Sequence, residues 1–99
     1  MSKLSIDIVD GVAKLRGQLN RHSVEKISKA NERKITKTQN TLVDLSDVTE
    51  ADTAGLAWLL YLVEQATAHK CQLTFAHLPS DLLKLAQLSA VSQFLPTAD

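Results

Sequence analysis

The sequence predicts an α/β fold: a mixed β-sheet of about four strands covered by about three to four α-helices. Three observations carry that expectation. Two short alternating segments meet at Asp10-Gly11, β-prone runs then alternate with helical segments, and the longest apolar-rich stretch, Asp52 to His69, has the length of a helix. Strands separated by helices call for parallel crossovers, whereas a two-residue connection calls for an antiparallel hairpin, so the sheet must be mixed.

The elements follow in chain order. Leu4, Ile6 and Ile8 alternate with Ser5, Asp7 and Val9; Asp10-Gly11 offers turn chemistry, and Val12, Ala13 and Leu15 follow before Gly17. From Ser23 to Thr36 the chain is rich in Lys, Glu and Arg, with Val24, Ile27, Ala30 and Ile35 near helical spacing. This predicts a surface helix that buries a thin stripe, with His22 or Ser23 as its N-cap. Thr41 to Leu45 is mostly apolar and reads as an interior strand, and Ser46 to Ala51 as a polar connection. Asp52 and Thr53 are both able to cap the helix that follows. Leu73 to Ala76 suggests a further strand, and Pro79-Ser80-Asp81 opens a last helix carrying Leu82, Leu83, Leu85, Ala86 and Leu88. The tail with Phe94, Leu95 and Pro96 has no clear assignment. No linker, repeat or low-complexity stretch interrupts the chain, so residues 1–99 are expected to form one domain.

At 100° per residue, Leu56, Leu59, Leu60, Val63 and Ala66 of the central helix share one arc, the expected core face. The opposite arc holds Ala54, Trp58, Tyr61 and Gln65, with Ala57 and Ala68 at its margin, where a solvated helix normally carries charge. Trp58 and Tyr61, the only Trp and Tyr of the chain, are three apart and neighbours on the helix surface. Large aromatics beside small residues suit an interface anchor, which would leave Trp58 exposed in the free chain; the competing reading is that another element covers it and makes it core.

Composition excludes several classes. Formal net charge is zero. Residues 1–40 nevertheless hold nine Lys/Arg against four Asp/Glu, and residues 41–99 hold two against seven. The basic half contains no Phe, Tyr or Trp, so no base-stacking platform accompanies its charge, and no nucleic-acid partner is expected. Lys26, Lys29, Arg33, Lys34 and Lys37 read as a solvated face able to steer an acidic partner. No apolar run of about 18 residues occurs, and Met1 to Ser5 lacks the apolar stretch of a secretory signal. A cytoplasmic chain without direct membrane insertion is therefore expected. Cys71 stands alone and reads as a packed thiol; His22, His69 and His77 lack metal-ligand spacing. Asp44, Asp47, Glu50 and Asp52 read as a solvated acidic loop, since no octahedral ligand spacing or phosphate loop accompanies them. No cofactor or metal is expected. No nucleophile, base and oxyanion-donor set is legible either, so the chain does not read as an enzyme.

Leu42-Val43-Asp44-Leu45-Ser46-Asp47-Val48, followed by Asp52-Thr53-Ala54-Gly55-Leu56 and an apolar helix, resembles the signature of the STAS family over about residues 41–76. The resemblance implies a STAS-type fold and a non-enzymatic module that docks its helix entrance onto a partner protein. Two branches compete. Anti-sigma-factor antagonists carry Asp-Ser-Ser/Thr-Gly-Leu, and the first hydroxyl, matched by Thr53, is their phosphoacceptor; Ala54 departs from that pattern. The run Asp52-Thr53-Ala54-Gly55-Leu56-Ala57, the segment Leu82 to Ala86 and Leu95-Pro96 look more like the MlaB-type branch. That likeness implies an accessory and regulatory subunit of a phospholipid-transport ABC complex that maintains outer-membrane lipid asymmetry. Such a subunit binds an MlaF-like ATPase in a complex with a permease and is cytoplasmic, peripheral to the inner membrane through its partner. Thr53 matches the contact threonine; Asp52, Thr53, Ala54, Trp58 and Tyr61 are the expected partner-binding residues. The alternative implied is a partner switch controlled by phosphorylation of Thr53.

Overall fold

The computed structural model describes residues 3–98; Met1, Ser2 and Asp99 lie outside it, and with them the start of the Met1–Ser5 stretch considered above. Strand β1 (Leu4–Val9) returns antiparallel as β2 (Val12–Leu19), with Val9 opposite Val12. The two residues between them, Asp10 and Gly11, have φ of 50° and 79°. Positive φ at both positions is the requirement of the tight hairpin turn whose twist matches the strands, and Asp-Gly meets it.

From β2 the chain passes through α1 (Arg21–Val24) and α2 (Lys29–Thr36) to β3 (Asn40–Ala51), and from β3 through α3 (Thr53–Ala68) to β4 (Gln72–Ala76). The strand order is β1-β2-β3-β4, with β2–β3 and β3–β4 parallel. Both crossovers step across the sheet in the same direction, so right-handed connections put their helices on one face. Burial follows. Ala13, Leu15, Thr41, Val43, Leu45, Leu73 and Phe75 point into a core shared with Leu56, Leu59, Leu62, Ala66, Leu82 and Ala86. The other face carries Asp7, Lys14, Arg16 and Asp47, whose contacts of 3.5–3.8 Å are half-exposed and stabilise little. Helix α4 (Ser80–Leu88) starts after Pro79, as its Pro-Ser-Asp opening predicts. The tail forms a short 3₁₀ turn (Ser92–Phe94) and then a parallel bridge to β4, with Phe75 N–H donating to the Pro96 carbonyl at 2.8 Å and Ala98 N–H to the Phe75 carbonyl at 2.9 Å.

The basic helix expected over Ser23–Thr36 is two helices. Asn20, not His22 or Ser23, is the first cap: its side chain accepts from the His22 and Ser23 N–H groups, while Ser23 Oγ accepts from the Asn20 N–H at 3.0 Å. Ser28 caps a second start by accepting from Asn31 N–H at 3.1 Å, so the helix breaks over residues 25–28. The polar connection expected over Ser46–Ala51 is also strand. Register steps from Lys14↔Asp44 to Arg16↔Asp47, and from Gly17↔Val48 to Gln18↔Glu50, so β3 carries two β-bulges. The first lets Ser46 and Asp47 both face outward and turns Val48 inward. Asp44, Asp47 and Glu50 therefore belong to a strand rather than to an acidic loop. The Asp44 carboxylate accepts from Ser46 N–H at 2.9 Å across that bulge, and this bond, with Lys14 and His77 nearby, holds its pKa below the ordinary 3.8 despite some burial.

Cys71 is buried just before β4, its sulfur 3.8 Å from both the Ile35 carbonyl oxygen and Thr41 Oγ1. The described residues contain no cluster of His, Cys, Asp or Glu able to hold a metal and no helix long and apolar enough to cross a membrane.

Candidate functional site

The site is built where β3 ends and α3 begins. Asp52 is the N-cap of α3: its extended backbone lets Oδ1 accept from Gly55 N–H at 2.9 Å. Its Oδ2 accepts from Arg21 N–H at 3.3 Å, and its own N–H donates to the Leu19 carbonyl at 3.2 Å. One aspartate thus closes the helix end and ties it to the segment leaving β2. Replacing Asp52 with Ala removes both acceptors and is expected to cost about 1–2 kcal/mol in urea denaturation, whereas Asp52→Asn keeps one acceptor for the Gly55 N–H, loses the one for the Arg21 N–H, and is expected to cost less than the Ala variant.

With Asp52 as cap, Thr53 is the first residue of the helix and is exposed; its hydroxyl bonds no other described residue. It stands at the end of a 16-residue helix where the macrodipole is positive. Ala54 is half-buried beside it, and Gly55 is buried. A Cβ at Gly55 would lie 2.3 Å from the Leu19 carbonyl oxygen and 2.8 Å from Leu19 Cγ. Only glycine lets α3 press this closely on the end of β2, and that contact fixes where Thr53 is presented.

The expected partner-binding residues do not all share one surface. Asp52, Thr53 and Ala54 sit together at the entrance, and Tyr61 is 40% exposed two turns along. Trp58 is a correction: it is 6% exposed and belongs to the core. Its covering element is α2, where Glu32 Oε2 accepts from the indole Nε1 at 2.8 Å, satisfying the one polar atom that burial would otherwise leave unpaired. Leu62, absent from the expected core arc, is fully buried, while Leu60 and Val63 are only partly so. The helix is packed from two sides, by the sheet and by α2, so its buried surface is wider than one arc. Sequence reasoning missed Leu19, Arg21 and Glu32. Leu19 and Arg21 act at the site through backbone atoms, which carry no residue signature.

A family model described as "Mlab, STAS domain" matches residues 2–96. The chain belongs to this STAS family. Its domains are non-enzymatic regulatory or accessory modules. Two solved structures similar to this STAS domain are the Bacillus cell fate determinant SpoIIAA in its phosphorylated form and the anti-sigma factor antagonist SpoIIAA in its unphosphorylated form. Each has a TM-score of 0.67 at 17% identity and covers 97% of this chain. The matches extend over 91% and 88% of those chains, respectively. At that identity the likeness establishes the fold, a mixed four-stranded sheet with helices of the STAS type. No curated protein matches the chain by sequence.

Proposed function

We propose that this STAS domain is the accessory and regulatory subunit of a phospholipid-transport ABC complex. In this reading it serves outer-membrane lipid asymmetry, sits peripheral to the inner membrane on the cytoplasmic side, and binds the ATPase subunit through Asp52, Thr53, Ala54 and Tyr61. The observation that supports it is an exposed, unbonded Thr53 hydroxyl held at a rigidly capped helix entrance, in a chain matched by the MlaB family model. A hydroxyl so placed can donate to a partner's carbonyl or carboxylate or accept from its N–H, and the capping network pre-organises it before the partner arrives.

Because Asp52 rather than Thr53 caps the helix, Thr53→Ala should leave stability within about 0.5 kcal/mol of wild type. The test is affinity purification of tagged wild-type and Thr53→Ala chains from solubilised native membranes, with partners read by mass spectrometry. Recovery of an ABC ATPase with its permease by the wild type, and reduced recovery by the equally stable variant, is the expected result. Equal recovery by both would remove Thr53 from the interface, and recovery of no ATPase would overturn the transporter reading.

A second reading rests on the same exposed hydroxyl and on the likeness to SpoIIAA, whose structure is known in phosphorylated and unphosphorylated forms. Phosphorylation of Thr53 would add about two negative charges beside the Asp52 carboxylate and reorganise the docking face. Stoichiometric phosphate on Thr53 in the recovered protein, with a soluble kinase or sigma-factor regulator as its companion, is the outcome that selects it.

A further inference from the structure

Away from the entrance, α2 and α3 leave between them a groove of about 250 Å³. From α2 and its C-cap it is lined by Lys29, Arg33 and Lys37, which follow one another at four-residue steps and so form a single row. From α3 and its C-cap it is lined by Tyr61, Gln65 and His69, spaced in the same way. Two parallel rows therefore face each other, one cationic and one able to hydrogen-bond. The only carboxylate in the lining is Glu32, whose Oε2 is already occupied by the Trp58 indole. Among the described residues the side chains of Lys29, Arg33 and Lys37 enter no ion pair or hydrogen bond. His69 Nδ1 donates to the Gln65 carbonyl at 2.8 Å, which fixes the ring at the groove's end.

We propose that this groove is a docking site for an acidic peptide segment of a partner protein. Charge complementarity selects the occupant: the three cations exceed the one engaged carboxylate, and no described acidic side chain of the chain itself neutralises them. Their spacing selects an extended polyanion over a single phosphate. Lys29 and Lys37 are separated by about 12 Å of helix rise, and successive cations by about 6 Å, close to the repeat of every second residue in an extended strand. Cations rooted along about 12 Å of helix suit a row of carboxylates: Arg33 can take one bidentately, and the lysines act as point charges on its neighbours. Tyr61 lies about 12 Å along α3 from Thr53, so the groove meets the proposed ATPase-binding residues only at Tyr61, and the rest of its lining is separate from the helix entrance.

The test uses the isolated chain and a synthetic alternating Glu-Ser peptide of about twelve residues, with the Gln-Ser peptide as neutral control, followed by amide NMR. Expected are shifts confined to residues 29–37 and 61–69, binding that weakens several-fold as salt rises from about 0.05 to 0.2 M, and none with the neutral peptide. Arg33→Glu should weaken binding about tenfold or more, while Lys34→Glu, an equal charge change on the same helix outside the groove, should weaken it less than about threefold. Arg33→Gln serves if Arg33→Glu melts abnormally. Shifts scattered over other lysines, equal binding of the neutral peptide, or equal loss in Lys34→Glu would each overturn the proposal.

Discussion

Gly55→Ala is expected to destabilise the fold by about 2 kcal/mol, lowering the melting temperature by roughly 10 °C. Two effects oppose one another. Alanine is the better helix former by up to about 1 kcal/mol, so in an exposed helix the substitution would stabilise. Here the new methyl would have to occupy a point 2.3 Å from the Leu19 carbonyl oxygen, which is backbone and cannot rotate away as a side-chain tip could. Helix α3 must move off β2, and the Asp52 N–H to Leu19 carbonyl bond, already 3.2 Å, must stretch with it. Overpacking of this kind costs about 1–3 kcal/mol and exceeds the propensity gain when a rigid group is struck. Urea denaturation reads the balance; a variant more stable than wild type would show that the contact is not tight. Displacing α3 also displaces Thr53, so Gly55→Ala should lose partner binding as well as stability, unlike Thr53→Ala.

The larger effect is expected at Trp58. Truncation to Ala removes a side chain that is 6% exposed between α2 and α3 and should cost about 3–5 kcal/mol, enough to unfold much of a small domain. Trp58→Phe keeps most of the volume but leaves Glu32 without its indole donor, and should cost about 1–2 kcal/mol. Because the chain has a single Trp, its emission reports this site alone. The free chain should emit at short wavelength and resist aqueous quenchers, and its spectrum should change little on partner binding. A red-shifted, readily quenched spectrum would contradict the packing under α2.

The fate of Trp58 shows what the sequence could not supply. A helical wheel assigns angles around one helix but does not say how many neighbours that helix has, and α2 supplies the second one. Glu32 lies 26 residues earlier, with no local pattern linking it to Trp58. The Asp10-Gly11 hairpin was legible because its turn chemistry is local; the cap of α3 was legible only as far as two candidates, Asp52 and Thr53, between which the bond from Gly55 N–H to Asp52 decides. By contrast the sequence signal for β3 ends at Leu45, because alternation is the strand signal and the bulge after Asp44 shifts its phase, making Ser46-Asp47 look like loop. The break between α1 and α2 was likewise hidden, although Asn20 and Ser28 are both ordinary caps: lysine, glutamate and arginine continue across the gap and mask it. At the helix entrance, Leu19 and Arg21 contribute through carbonyl and N–H, which leave no mark in the sequence, and further along α3 Glu32 contributes a side chain whose partner only the packing of α2 on α3 reveals.

The order of the strands has a consequence for how the chain assembles during synthesis. In the sequence β1-β2-β3-β4 each strand pairs with the one made immediately before it, and the tail then bridges to β4. A nascent chain therefore always has a finished edge ready for the next strand, and none has to be inserted between two already paired. The slowest step of most parallel sheets, bringing together strands far apart in the chain, is reduced here to closing one helix-length loop at a time. The β4 edge stays open until residues 96–98 emerge, so in a partly made chain its rim is exposed to pairing with another.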